Sequence, residues 1–281
     1  MKSLYFLLLP LLLTTCQNQP AVTSSLAMCH DPNAAIAQFA SFSTDPAFLS
    51  AHPSPEFVAL SRKGKMIEFP VAGGTNGRAF YVKARKKTNK YLLVFQEWWG
   101  LNAYVKNESV AWGKELGVNV LAIDLYDGKV ATTAEEAGKL MQANDPARST
   151  ALIQGAMRHA GEKADFRTIG WCFGGGWSLQ AALLGGARTK ACVIFYGMPE
   201  MDVAKLRTLN SDVLFIHPDK DQWITEQMVG DFEKNMKTAG KSVAVKHYAA
   251  DHAFANPSSP KYIAAAAQEA RTVAKAYLMG K

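Results

Sequence analysis

The chain has 281 residues, of which 48% are hydrophobic and 20% charged, and a net charge of +7. That length and apolar content support one large core and exclude wholesale disorder. The 31 lysines and arginines are scattered, with no basic run interleaved with aromatics of the kind that binds nucleic acid. A generally cationic surface is therefore the plain reading, and a negatively charged substrate stays open.

The first residues differ from the rest. Met1-Lys2 is a minimal positive start, and LYFLLLPLLL (Leu4 to Leu13) is an apolar run of signal-peptide length, too short to span a bilayer as a helix. Leu13-Thr14-Thr15-Cys16 then precedes the polar QNQP. This pattern resembles a bacterial lipoprotein signal with Cys16 as the lipidated first residue of the mature chain; Thr15 departs from the usual small residue there. Cleavage after Ala27, giving a soluble exported protein, is the alternative. The expected organisation is a signal peptide over 1–16, a tether and short helical extension over 17–62, and one catalytic domain over 63–281. The only membrane contact expected is the lipid anchor.

Within the extension, NAAIAQFASF and DPAFLSAHP are short apolar patches that read as helical turns laid over the main domain. From Lys65 onward strands and helices alternate. KMIEFP and RAFYVKA form a hairpin through the turn Ala72-Gly73-Gly74-Thr75-Asn76-Gly77. YLLVFQ (91–96) and VNVLAIDL (118–125) are buried strands separated by a helix over 103–116. Two helices follow, over 132–143 and 146–161, the second capped by Asp145 with Pro146 at its first position. FRTIGW (166–171) is a strand that runs into a glycine turn and a helix over 174–185. TKACVIFYG, SDVLFIH and SVAVKHY are later strands, with helices over 223–239 and 261–279. Such alternation predicts a mostly parallel sheet with helices on both faces.

The glycine turn Gly170-Trp171-Cys172-Phe173-Gly174 has the form G-x-C-x-G. Placed between a strand and a helix, it matches a nucleophile elbow that presents Cys172 instead of serine. The positive end of the following helix is expected to lower the thiol pKa. The Phe173 N–H points to where an oxyanion forms. A buried structural cysteine is the bland alternative. A phosphate loop is excluded by the absence of Gly-Lys-Ser/Thr. Of the other cysteines, Cys192 sits in an apolar strand and reads as a small buried hydrophobe; a bridge from Cys29 to Cys192 is left open.

A thiol nucleophile needs a base and an orienting acid. Downstream of Cys172 lie His217, His247 and His252. Only His252 falls on a loop after a strand. Asp219, Asp221 and Asp251 are the acid candidates; Asp221 sits best to reach back to His252, with Asp219 as the fallback. Glu97 ends a strand beside Trp98 and Trp99, where a carboxylate is partly desolvated. The Trp98 N–H is the candidate second oxyanion donor.

Taken together, QEWWG (96–100), DLYDGK (124–129), GWCFGG (170–175), Asp221 in DKDQWIT and His252-Ala253-Phe254 resemble the dienelactone hydrolase family of α/β-hydrolases. The resemblance implies an α/β-hydrolase fold, a Cys172–His252–Asp221 triad, Glu97 paired with the resting thiol, and a small ester or lactone as substrate. Tyr126, Lys129 and Trp99 are candidate substrate contacts. Family members grip a substrate carboxylate with arginines where this chain has Gly128 and Asn256. Neither metal nor organic cofactor is implied, since zinc-type Cys/His spacing and a dinucleotide fingerprint are both missing. An exported binding protein on a decayed hydrolase scaffold is the alternative function. A thiol-disulfide enzyme is disfavoured by the lack of Cys-x-x-Cys.

Overall fold

The structure is a computed structural model that describes Met1 and residues 34–281. The proposed signal, Cys16, the tether and Cys29 lie outside the described residues. The described residues 34–281 lie in one compact unit.

Eight strands make one sheet: β1 (Lys65–Phe69), β2 (Gly77–Val82), β3 (Lys90–Phe95), β4 (Asn119–Ile123), β5 (Asp165–Trp171), β6 (Thr189–Phe195), β7 (Asp212–Pro218) and β8 (Val243–Tyr248). Their order is β1-β2-β4-β3-β5-β6-β7-β8. The pairs β1–β2 and β2–β4 are antiparallel. Every pair from β4–β3 to β7–β8 is parallel. The physical reason is visible in the strand sequences. NVLAI and KYLLVF carry continuous apolar residues because both faces of a parallel sheet are covered by crossover helices. VAVKHY, at the far edge, alternates instead and keeps one face toward solvent.

Nine α-helices are described: α1 (Ala34–Ser41), α2 (Pro46–Ala51), α3 (Ala103–Leu116), α4 (Ala134–Gln142), α5 (Pro146–Ala160), α6 (Phe173–Gly185), α7 (Val203–Leu206), α8 (Glu226–Thr238) and α9 (Ala264–Met279). The Asp145 side chain caps α5 by accepting from the Ala147 N–H, with Pro146 behind it, as the sequence predicts. Asn102 caps α3, which stops at Gly117 with φ 67°. The four-residue α7 was not anticipated; it is held by an Asp202 cap in a stretch without apolar periodicity. Among the described residues, no helix is long and apolar enough to cross a membrane.

The two apolar patches of the extension become α1 and α2, with a 3-10 turn between them. Helix α1 buries Ile36 and Phe39 and packs on α6 and α4. Helix α2 is capped by Asp45 and buries Phe48. Helix α1 therefore rests against the helix that opens at Phe173, while α2 packs on α4.

Candidate active site

Strand β5 ends at Trp171, helix α6 begins at Phe173, and Cys172 forms the corner between them with φ 56° and ψ −123°. That is a backbone region L-residues avoid, and it persists only because its surroundings over-determine it. Two glycines make the corner sterically possible. A Cβ on Gly170 would stand 2.0 Å from the Gly174 carbonyl oxygen. One on Gly174 would stand 2.4 Å from the carbonyl oxygens of Phe95 and Gln96. The G-x-C-x-G spacing is thus a requirement for the chain to double back.

The other sequence candidates converge on this corner in part. A ring nitrogen of His252 lies within 4.8 Å of the Cys172 sulfur. Its Nδ1 donates to Asp221 Oδ2 at 2.6 Å, so Nε2 is the nitrogen left to meet the sulfur. The second Asp221 oxygen accepts from the backbone N–H groups of Trp223 and Ile224, both at 3.0 Å. Both side chains of the pair are buried. Asp219 is elsewhere: it accepts from His247 Nδ1 at 2.8 Å, with both side chains nearly half exposed. Asp251 faces Lys261 at 3.9 Å. The backbone N–H groups of Phe173 and Trp98 both hydrogen-bond toward the Cys172 sulfur.

Glu97 is the buried acid beside them. Burial raises its pKa to about 7, against the opposing pull of His252, the Tyr196 hydroxyl and Asn256. The Asn256 amide donates to one Glu97 oxygen in a short hydrogen bond. The other oxygen is buried without a well-aligned partner, as is the Tyr196 hydroxyl that faces it. Asn256 therefore holds the acid in place. Desolvation decides this pKa: a carboxylate with one neutral donor recovers less than water would supply.

One sequence expectation is corrected here. The thiol is not lowered toward a thiolate. Burial first, and then the neighbouring Glu97 carboxylate, push Cys172 well above its ordinary range. The N–H groups of Phe173 and Trp98 act in the opposite sense but are outweighed. The Cys172 side chain is a neutral, shielded thiol.

The remaining candidates are placed as follows. Trp99 is buried and packs on Trp98, ring centroids 4.9 Å apart. Tyr126 is buried against Phe173 at 5.8 Å, its hydroxyl without a partner. Lys129 is exposed on the surface, and the space beside Gly128 is occupied by the Arg78 guanidinium. Cys192 is a free, fully buried thiol 3.6 Å from the Ser178 hydroxyl.

Sequence reasoning missed two residues at the site. Tyr196 leaves β6 with φ 39° and brings its ring within 5.0 Å of the His252 ring; its position at a strand's carboxyl end was the available signal. His52, at the end of α2, packs against Phe48 at 4.2 Å, Trp98 at 5.2 Å and His252 at 5.5 Å. It is held neutral by burial and by the neighbouring His252, with its pKa lowered to about 3. Nothing in an apolar patch 120 residues before the elbow marks it out.

A cavity of about 490 Å³ adjoins the site. Glu97, Asn256, Trp171 and Phe195 line it, together with Tyr104, Trp112 and Arg271. It stops short of the sulfur, which is 1% exposed.

A parallel sheet, an elbow after β5, an acid after β7 and a histidine after β8 define an α/β-hydrolase. The dienelactone hydrolase family model matches residues 78–280, and the chain belongs to that family. It is similar to carboxymethylenebutenolidase 1 of Cupriavidus pinatubonensis, 26% identical over 75% of this chain and 92% of the relative. It is also similar to protein usf of Aquifex pyrophilus, 29% identical over 69% and 87%. Among solved structures, a dienelactone hydrolase-like promiscuous phosphotriesterase from metagenomic libraries superposes with a TM-score of 0.65 at 22% identity. That match covers 78% of this chain and 98% of the other, a likeness of fold alone.

Proposed function

We propose that this hydrolase cleaves small carboxylic esters or lactones with Cys172 as nucleophile, His252 as base and Asp221 as the residue that orients it. The observation that carries this reading is the line Asp221–His252–Cys172, in which the His252 ring gives one nitrogen to Asp221 and keeps the other buried and unpaired, with a ring nitrogen within 4.8 Å of the sulfur. His252 Nε2 takes the thiol proton as sulfur attacks the substrate carbonyl. The carbonyl oxygen becomes an oxyanion on the N–H groups of Phe173 and Trp98, a role supported by both groups pointing toward the sulfur. His252 returns the proton to the leaving oxygen, and a thioester remains. Water, deprotonated by His252, then releases the acid and restores the thiol.

Glu97, with a pKa of about 7, is positioned to keep the thiol quiet until substrate enters through the adjoining cavity and shifts it. A thiol hidden in this way suits an exported enzyme, because exposed thiolates oxidise readily. Mass spectrometry after acid quench of a reaction with an activated ester is expected to find the acyl group on the Cys172 peptide. An acyl group on another residue, or turnover with none trapped under burst conditions, would refute the thioester. A decayed scaffold used only for binding would show neither acylation nor turnover. Residues 1–16 are proposed as a lipoprotein signal, since Cys16 follows the apolar run Leu4 to Leu13 after only two threonines. The intact mass of the membrane-extracted chain is expected to show diacylglycerol on Cys16; a soluble mature chain beginning near Met28 would show soluble export instead.

A further inference from the structure

The extension delivers a third metal-type donor to the nucleophile and its histidine. His52, Cys172 and His252 each offer one ligand atom, and the three atoms lie within 4.8 Å of one another. All three residues are more than nine-tenths buried. Both imidazoles are oriented from behind: His52 Nδ1 donates to the Phe48 carbonyl at 2.7 Å, and His252 Nδ1 to Asp221 at 2.6 Å. Their Nε2 atoms are buried with no hydrogen-bond partner. Backbone carbonyl and carboxylate behind a ring, with the far nitrogen open, is the arrangement that presents histidine to a metal. Two imidazole nitrogens and a sulfur favour zinc over magnesium or calcium, which take oxygen.

We propose that Zn2+ binds to His52 Nε2, Cys172 Sγ and His252 Nε2 and reversibly inhibits the enzyme. The Cys172 S–H bond breaks, its proton leaves to solvent, and the sulfur–zinc bond forms with no change of oxidation state. Zinc bonds of about 2.0 Å to nitrogen and about 2.3 Å to sulfur require the donors to draw in slightly around the ion. A separate cavity of about 100 Å³ reaches both rings, with Lys220, Trp223 and Lys261 also in its wall. Asp251 and Gln222 also line it, and Cys172 does not. A metal on the sulfur and on the base leaves neither for chemistry. The inhibition rests on the assignment of Cys172 and His252 above, whereas binding does not.

The test uses the purified full chain after chelator treatment, titrated with Zn2+ against a chromophoric indicator while ester hydrolysis is followed in parallel. One zinc per chain is expected, with activity lost in step with occupancy. Co2+ is expected to give a thiolate charge-transfer band in the near ultraviolet. His52→Phe, which preserves the aromatic packing, is expected to weaken zinc at least about 100-fold, read from the indicator and the cobalt band independently of the variant's own turnover. His52→Gln serves should the phenylalanine variant not fold. His247→Ala, which breaks the separate cluster of His217, Asp219 and His247, is expected to change nothing. No zinc bound at micromolar concentration would overturn the site, as would His52 variants that bind zinc as tightly as the unaltered chain. Loss of binding in His247→Ala would do the same. Zinc bound with the cobalt band present but full activity retained would leave the site standing and sink the nucleophile assignment.

Discussion

Cys172→Ala is expected to reduce turnover of an activated ester by at least about 10³-fold, the scale seen when a nucleophile is removed. The argument rests on where the sulfur is held. Backbone donors, base and acid all converge on this one atom, and no other side chain at the site is a nucleophile of comparable strength. Cys192 is buried at the middle of β6, between Ala191 and Val193 in strand register and bonded to Ser178, so it cannot substitute. The substitution removes one buried atom at a corner whose conformation is set by Gly170 and Gly174, and the melting temperature is expected to stay near that of the unaltered protein. Circular dichroism with a steady-state assay decides the matter. A folded Cys172→Ala protein with unchanged kcat would falsify the nucleophile assignment outright.

Asp221→Asn is expected to lower kcat by about 10³ to 10⁴-fold with KM little changed, because the amide favours the wrong imidazole tautomer. As drawn in the fold, the carboxylate keeps the proton on His252 Nδ1 and leaves Nε2 able to accept from the thiol. An asparagine NH₂ group facing Nδ1 moves the ring proton to Nε2, where it faces the sulfur and cannot take another. Asp219→Asn provides the comparison, since Asp219 sits two residues away on the same loop and serves only the exposed His247. It is expected to cost less than about threefold, in line with the small effects of surface changes. Equal losses in the two variants would assign the orienting role elsewhere. The pH profile separates an orienting defect from simple loss of fold: lost fold only lowers the active fraction and leaves KM and the pH profile of the remainder unaltered, whereas a wrong imidazole tautomer alters the profile itself.

Much of the architecture was legible because it is encoded locally. Strands β3 and β4 are uninterrupted apolar runs, and the hairpin of β1 and β2 announces itself through Gly73-Gly74 and Asn76-Gly77. Helix α5 declares its start with Asp145-Pro146. The elbow was readable for a steric reason: only glycine at 170 and 174 lets a strand reverse into a helix within this space. Asp221 and His252 could be chosen over Asp219 and His247 from loop position alone, because functional groups of such sheets gather beyond the strands' carboxyl ends.

What the sequence by itself determined, then, was the order of elements, the strained corner and the chemical types gathered around it. The charge state of the thiol was decided only by the tertiary structure, because burial and Glu97 outweigh the helix end that the local pattern emphasised. The same is true of Asn256 holding Glu97, of Lys129 turned to the surface, and of His52 arriving beside the sulfur from the extension. Each depends on residues far apart in the chain meeting in a dry interior. There, solvation and pairwise distance, which no short stretch of sequence specifies, set the energies.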